Sequence, residues 1–237
     1  MTLIPVIDLL RGQVVRGMGG DRQAYRPIVS ALCASSDPVT VARILCEHCN
    51  AGQLYIADLD ALMGGTAQRD VIRGVVRALP QIELWLDAGF ADALHARALV
   101  AELHPFAERI VPVFGSESLA SREVLQACFA PSDPLGARAV LSLDRRDGKR
   151  LDAAGCWDAV ASWPRRVIVM TMERVGSGAG PDLETMRSLR SKAPAVTLIG
   201  AGGVRSEADL ALAAAAGADA WLVASALHDL RLPKVRR

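Results

Sequence analysis

Eight short apolar runs, alternating with longer helix-like stretches, constrain this 237-residue chain more than any other feature. They span residues 4–8, 54–58, 82–87, 110–114, 139–144, 167–171, 196–200 and 220–224. Each is short and rich in Val, Ile and Leu, which reads as a buried strand. The stretches between most of them, such as Pro38–Cys49 and residues 206–216, carry Ala, Leu, Arg and Glu at helical spacing. Strand and helix in alternation imply βαβ units and a parallel sheet. Eight such units close into a barrel, and barrels of roughly 200–250 residues are ordinary. An open doubly wound sheet is the competitor, but no Gly-rich dinucleotide fingerprint follows the first strand. The expected class is therefore α/β, a single (β/α)8 TIM barrel over residues 1–237.

The barrel reads as a doubled half. Ile7-Asp8-Leu9-Leu10-Arg11-Gly12 and Leu143-Asp144-Arg145-Arg146-Asp147-Gly148 are both apolar runs that close on an aspartate, with a glycine four residues later. Ala88-Gly89-Phe90 after the third strand parallels Gly202-Gly203-Val204 after the seventh. Gly115-Ser116 after the fourth parallels Ala224-Ser225 after the eighth. The same order in both halves predicts two-fold pseudo-symmetry, with half-barrels at about 1–130 and 137–237 and a turn-rich joint at 131–136. Residues 18–36 break the rhythm, and a long loop inside a compact domain commonly serves as a lid or binding loop.

Two carboxylates facing one pocket can divide acid and base roles, which makes Asp8 and Asp144 the candidate catalytic pair. A strand-end aspartate also serves as a plain cap, and spacing alone leaves both readings open. Asp58, at the second strand's end, could orient Asp8 or contact substrate. Phosphate is expected at Gly202, Gly203, Ala224 and Ser225, because glycine lets backbone N–H groups approach an anion and the loops after strands seven and eight are a recurrent barrel phosphate site. Gly89, Gly115 and Ser116 form the matching first-half candidate. There Asp87 and Glu117 bring negative charge, so a second phosphate would need cations such as Arg16, Arg22 or Arg26.

Composition removes other classes. Net charge is +1 and aromatic content 4%, which supplies neither a basic surface nor stacking platforms for nucleic acid. The longest apolar stretch, residues 210–227, is broken by Gly217 and Asp219, so no membrane span is expected. No basic region precedes an apolar one at the start, and a cytoplasmic location is the expectation. Five cysteines, an odd count, argue for free thiols. Cys46-Glu47-His48-Cys49 lacks a second ligand pair, so buried thiols are favoured over a metal. His95, His104 and His228 take the same reading.

Several motifs together resemble one family: Ile4-Pro5-Val6-Ile7-Asp8-Leu9, Val14-Val15-Arg16, Tyr55-Ile56-Ala57-Asp58-Leu59-Asp60-Ala61, Leu143-Asp144 with Asp147-Gly148 and Trp157, and Gly202-Gly203-Val204 with Asp209-Leu210. The chain resembles the histidine-biosynthesis barrels (HisA and HisF), and its isomerase branch more than its cyclase branch. The resemblance implies a half-barrel duplication and a phosphorylated small-molecule substrate. It also implies an Amadori rearrangement in which Asp8 and Asp144 act as acid and base, with no metal and no redox cofactor. On the sixth strand it carries a catalytic threonine onto Thr171, while anchoring on Gly176 puts Met170 there. Departures cluster at the pocket mouth. Leu86-Asp87-Ala88-Gly89-Phe90 replaces a triple-glycine run, and Val175 stands where the family has aspartate. In Tyr25-Arg26-Pro27-Ile28, Asp87-Ala88-Gly89 and Gly115-Ser116-Glu117-Ser118 the chain is similar to a subgroup associated with methanogens and methylotrophs, which implies a paralogue serving one-carbon cofactor (tetrahydromethanopterin or methanofuran) biosynthesis with another substrate. A non-catalytic binding subunit is the third alternative.

Overall fold

The computed structural model describes residues 1–17 and 25–235. Its centre is a closed parallel barrel of eight strands: β1 (Thr2–Leu10), β2 (Gln53–Asp58), β3 (Glu83–Asp87), β4 (Ile110–Gly115), β5 (Val140–Arg146), β6 (Arg166–Thr171), β7 (Thr197–Ala201) and β8 (Ala220–Val223). Neighbours in sequence are neighbours in the sheet, and β1 pairs with β8 to close it, Thr2 opposite Ala220 and Pro5 opposite Val223. All the pairings around the ring are parallel. The eight runs expected from sequence are these strands, with ends displaced by a few residues.

Side chains alternate faces along each strand. Ile4, Tyr55, Trp85, Val111, Val113, Val140, Ile168, Ile199 and Leu222 fill the barrel interior as one cluster. Ile7, Leu9, Leu54, Ile56, Leu84, Leu86, Leu141, Leu143, Val167 and Leu198 belong to the second cluster, between sheet and helices.

The helices cover the outside. Pro38–Cys49 starts with a proline in its first turn, capped by the Asp37 carboxylate, and ends on Asn50 in the left-handed region at φ 47°. Arg69–Ala78, Ala93–Glu102 and Leu183–Lys192 follow β2, β3 and β6. The 206–216 stretch is the helix Glu207–Ala215 with Ser206 and Ala216 as its caps. The expected joint at 131–136 instead contains a short helix, Pro134–Arg138, because Asp133 caps it and the proline occupies its first turn. The connection from β5 to β6 has only 3-10 turns, Cys156–Asp158 and Val160–Ser162, in place of a helix. Trp163 holds those turns together, its indole N–H donating to the Cys156 carbonyl at 2.7 Å.

β1 and β5 do not end at their aspartates. Each runs two residues further and folds back as a hairpin, Leu10 opposite Gln13 and Arg146 opposite Lys149. Both central residues of both turns have positive φ: Arg11 50° and Gly12 79°, Asp147 51° and Gly148 73°. Mirror-image two-residue turns demand this, and glycine adopts it without strain. The glycine four residues after each aspartate is therefore a turn requirement.

Candidate active site

The pocket opens at the carboxyl ends of the barrel strands. Strand register sets its floor. Asp8 lies level with Ala57, and Ala57 with Asp87. Across the barrel Asp144 lies level with Met170, Met170 with Ala201, and Ala201 with Leu222. Asp8, Asp87, Asp144, Met170 and Ala201 all line the pocket.

The two catalytic candidates sit in unlike media. Asp144 is buried, with a relative exposure of 4%, whereas Asp8 is only partly buried. Burial pushes the Asp144 carboxyl up to about 8. The nearby charges of Glu117 and Asp87 add to the rise, and the hydrogen bond from Ser142 opposes it. Ser142 Oγ donates to Asp144 Oδ1 at 2.6 Å, and the Glu117 N–H donates to Oδ2 at 3.2 Å. Each aspartate is also packed against a glycine. A Cβ on Gly115 would stand 2.9 Å from Asp144 Oδ2, and one on Gly17 would stand 2.8 Å from Asp8 Oδ2. Any larger residue would move a carboxylate.

On the far side, Gly202 and Gly203 hold φ of 84° and 82°. A Cβ on Gly203 would fall 2.1 Å from the Gly180 carbonyl oxygen, so only glycine fits. Gly202, Gly203, Ala224 and Ser225 line the pocket, with Arg174 and Arg205 beside them. Among the described residues, no protein acceptor meets the N–H of Gly203 or of Ser225. That is the arrangement an anion needs.

Several expected site residues lie elsewhere. Thr171 points out of the barrel: its neighbour Met170 faces in, and Thr171 Oγ1 donates to Asp182 Oδ2 at 3.1 Å. Asp58 also faces outward, one residue beyond inward-facing Ala57, and opposite outward Leu9. It is fully buried and accepts from the Gln68 N–H at 2.7 Å, from Gln68 Nε2 at 3.1 Å and from the Ala61 N–H at 3.3 Å, so it is a cap. Ser116 is buried under Asp144, accepting from the Asp144 N–H and donating to the Leu151 carbonyl, both at 2.8 Å. Gly115 and Ser116 shape the Asp144 site and do not line the pocket. The Gly89 N–H donates to Asp87 Oδ1 at 3.1 Å. Arg16 pairs with Asp229 at 2.6 Å, at the pocket edge. Of the other cations named from sequence, Arg22 lies outside the described residues, as do residues 18–24 of the long loop. Arg26 donates to the Tyr25 carbonyl.

Sequence reading missed Tyr55; of the two registers it left open on the sixth strand, the structure takes the one that turns Met170 inward. Tyr55 is buried inside the barrel and donates to Asp87 Oδ2 at 2.9 Å. Burial first, and the carboxylates of Asp87, Asp144 and Asp8 next, push its hydroxyl well above the usual range. Two-residue alternation finds it only once Asp58 is placed on the outer face as a cap. All five cysteines are buried and free, and burial pushes Cys46 and Cys49 up to about 12, which fits inert thiols. Among the described residues no helix is long and apolar enough to cross a membrane.

The sequence has relatives. The family model described as histidine biosynthesis protein matches residues 2–233. The chain belongs to that family. It is 30% identical over 96% of its length to an uncharacterized protein of Methanocaldococcus jannaschii, covering 93% of that protein. It is 32% identical to the 1-(5-phosphoribosyl)-5-((5-phosphoribosylamino)methylideneamino) imidazole-4-carboxamide isomerase of Thermomicrobium roseum, over 98% of this chain and 94% of that one. An isomerase of the same name from Salinispora arenicola is 29% identical over 96% of this histidine biosynthesis family member and 92% of its own length.

Proposed function

We propose that this histidine biosynthesis family protein is an acid–base isomerase of a phosphorylated sugar-type metabolite, in the form of an aldose–ketose or Amadori rearrangement. The observation that carries the reading is the unlike setting of two carboxyl groups lining one pocket, Asp144 buried and Asp8 partly solvated. With its carboxyl raised to about 8, Asp144 holds a proton at neutral pH and acts as the acid. It protonates the ring oxygen of the aminoaldose, the C1–O bond breaks, and the ring opens to an iminium. Asp8 takes the proton from C2. The resulting enaminol collapses to the aminoketose when Asp8 returns that proton to C1 and the C2 hydroxyl gives its proton to Asp144, so both aspartates end as they began and the rearrangement is net neutral. Gly202, Gly203, Ala224 and Ser225 anchor the phosphate, and Met170 and Tyr55 exclude water from the floor. The names of the relatives, the match along the whole chain and the pocket chemistry support this reading. The test is turnover in Asp8→Asn and Asp144→Asn, where one positioned acid or base is worth about 10²–10⁴-fold.

A second reading keeps the barrel and the aspartates but changes the substrate, as in a paralogue recruited to one-carbon cofactor biosynthesis. Asp87 and Glu117 in the pocket favour it. Robust rescue of a histidine auxotroph lacking the isomerase would count against it.

A further inference from the structure

The segment that follows β8 brings an arginine to the pocket, and it does so at a cost in backbone strain. After the short helix Ser225–His228 the chain turns left-handed at Leu230, with φ 53°. Glycine takes that conformation freely, and leucine does not. Leu230 is 52% exposed, so packing of its side chain does not account for the turn. The turn places Arg231. The Arg231 N–H donates to the Ala226 carbonyl at 2.8 Å, and the next residue, Leu232, is buried with its carbonyl accepting from His48 Nε2 at 2.9 Å. The backbone of Arg231 is thus held on both sides, and the residue lines the pocket with Gly202, Gly203, Ser225 and Ala226.

The charge of Arg231 is loosely held. Asp229 is its acidic neighbour, but Arg16 donates to both Asp229 oxygens, at 2.6 and 3.3 Å. Arg231 Nη2 stands 3.7 Å from Asp229 Oδ2, beyond hydrogen-bond distance, on a half-exposed side chain. The hydrogen bond from Arg16 is the largest cause that holds the Asp229 carboxyl below its usual range, and Arg231 is a lesser one. The other two arginines on this side serve the protein's own acceptors. Arg205 donates to both oxygens of Asp209 at 2.9 Å. Arg174 donates to the Ala179 carbonyl at 2.9 Å and so holds the loop whose Gly180 carbonyl backs Gly203. A phosphate monoester carries close to two negative charges at neutral pH, and backbone N–H groups offer it only partial charges.

We propose that Arg231 is a specificity-determining residue that supplies the full positive charge for the phosphoryl group of the substrate, beside the Gly202–Gly203 amides. This rests on the reading that the Gly202–Gly203 side takes phosphate. Arg16 is a positioning residue: it neutralises Asp229, which would otherwise repel the phosphoryl group and draw Arg231 away from it.

Calorimetric titration of the full-length protein at neutral pH tests it, with inorganic phosphate and ribose 5-phosphate as probes. Arg231→Ala should weaken ribose 5-phosphate binding by about tenfold or more. Arg231→Lys keeps the charge and should weaken it by much less. Without ligand both variants should melt with the wild type, since the Arg231 side chain makes no hydrogen bond among the described residues. Binding by Arg231→Ala as tight as that of wild type overturns the inference and leaves the phosphate-site reading standing. So do equal losses in the alanine and lysine variants, which would assign the effect to packing and not to charge. Binding of neither probe by the wild type overturns both.

Discussion

Asp8 and Asp144 look alike along the chain, but the protein places them in different surroundings, and their behaviour should differ accordingly. A buried carboxyl whose folded value is near 8 keeps its proton while the unfolded chain has already lost it. Stability contributed by the protonated form is thus lost as pH rises from about 4 to about 8. The slope is at most about 1.4 kcal/mol per pH unit from this group. Urea melts across that range should show Asp144→Asn gaining on wild type as pH rises. The same proton sets the alkaline limb of kcat/KM, which should fall above pH of about 8. Glu117→Gln removes one of the charges that hold this value up, so the limb should move to lower pH. Thr171 faces the helices, so Thr171→Val should cost about 1 kcal/mol of stability through its lost hydrogen bond while leaving kcat within a few-fold. A drop of about a hundredfold would place it back in the chemistry.

At the scale of elements, glycines decide where carboxylates and anions can sit. Gly203→Ala would meet the Gly180 carbonyl at 2.1 Å and force a left-handed φ on alanine, so it should abolish phosphate binding measured by calorimetry. Gly12→Ala meets nothing within 4 Å, and only its φ of 79° is strained. It should cost about 1–2 kcal/mol in melts and leave phosphate affinity alone. The two hairpins also explain what sequence could and could not tell. The repeated aspartate and glycine were legible because a turn with two positive φ angles demands glycine at a fixed distance. The face of Thr171 was not. Val167 to Met170 is apolar throughout, since a parallel strand is buried on both sides, and no alternation survives to read. Asp58 and Asp8 both follow an apolar run, yet a single-residue difference in register sends one to a helix cap and the other to the pocket.

On the scale of the whole molecule, the alternation of eight apolar runs with helical stretches was enough to read the barrel, because closure follows from the repeat. The 3-10 crossing between β5 and β6 was hidden, since Cys156, Trp157 and Trp163 pack without a helical period. Closure also ties the site to global stability. β7 and β8 carry the loops proposed to hold phosphate, and β8 seals the barrel against β1. A ligand held there should therefore stabilise the entire cooperative unit. Ribose 5-phosphate at about 100 times its dissociation constant should add roughly 2.7 kcal/mol, seen as one raised melting transition. A second transition left unmoved by ligand would mean that the halves unfold separately.

The most direct test of the central claim is conversion of an N-aryl ribosylamine 5-phosphate to its aminoketose by wild type, Asp8→Asn and Asp144→Asn, with melting curves on the same samples. The account predicts turnover by wild type and a loss of about 10²–10⁴-fold in each variant, with both variants folded. Full turnover in both would contradict it.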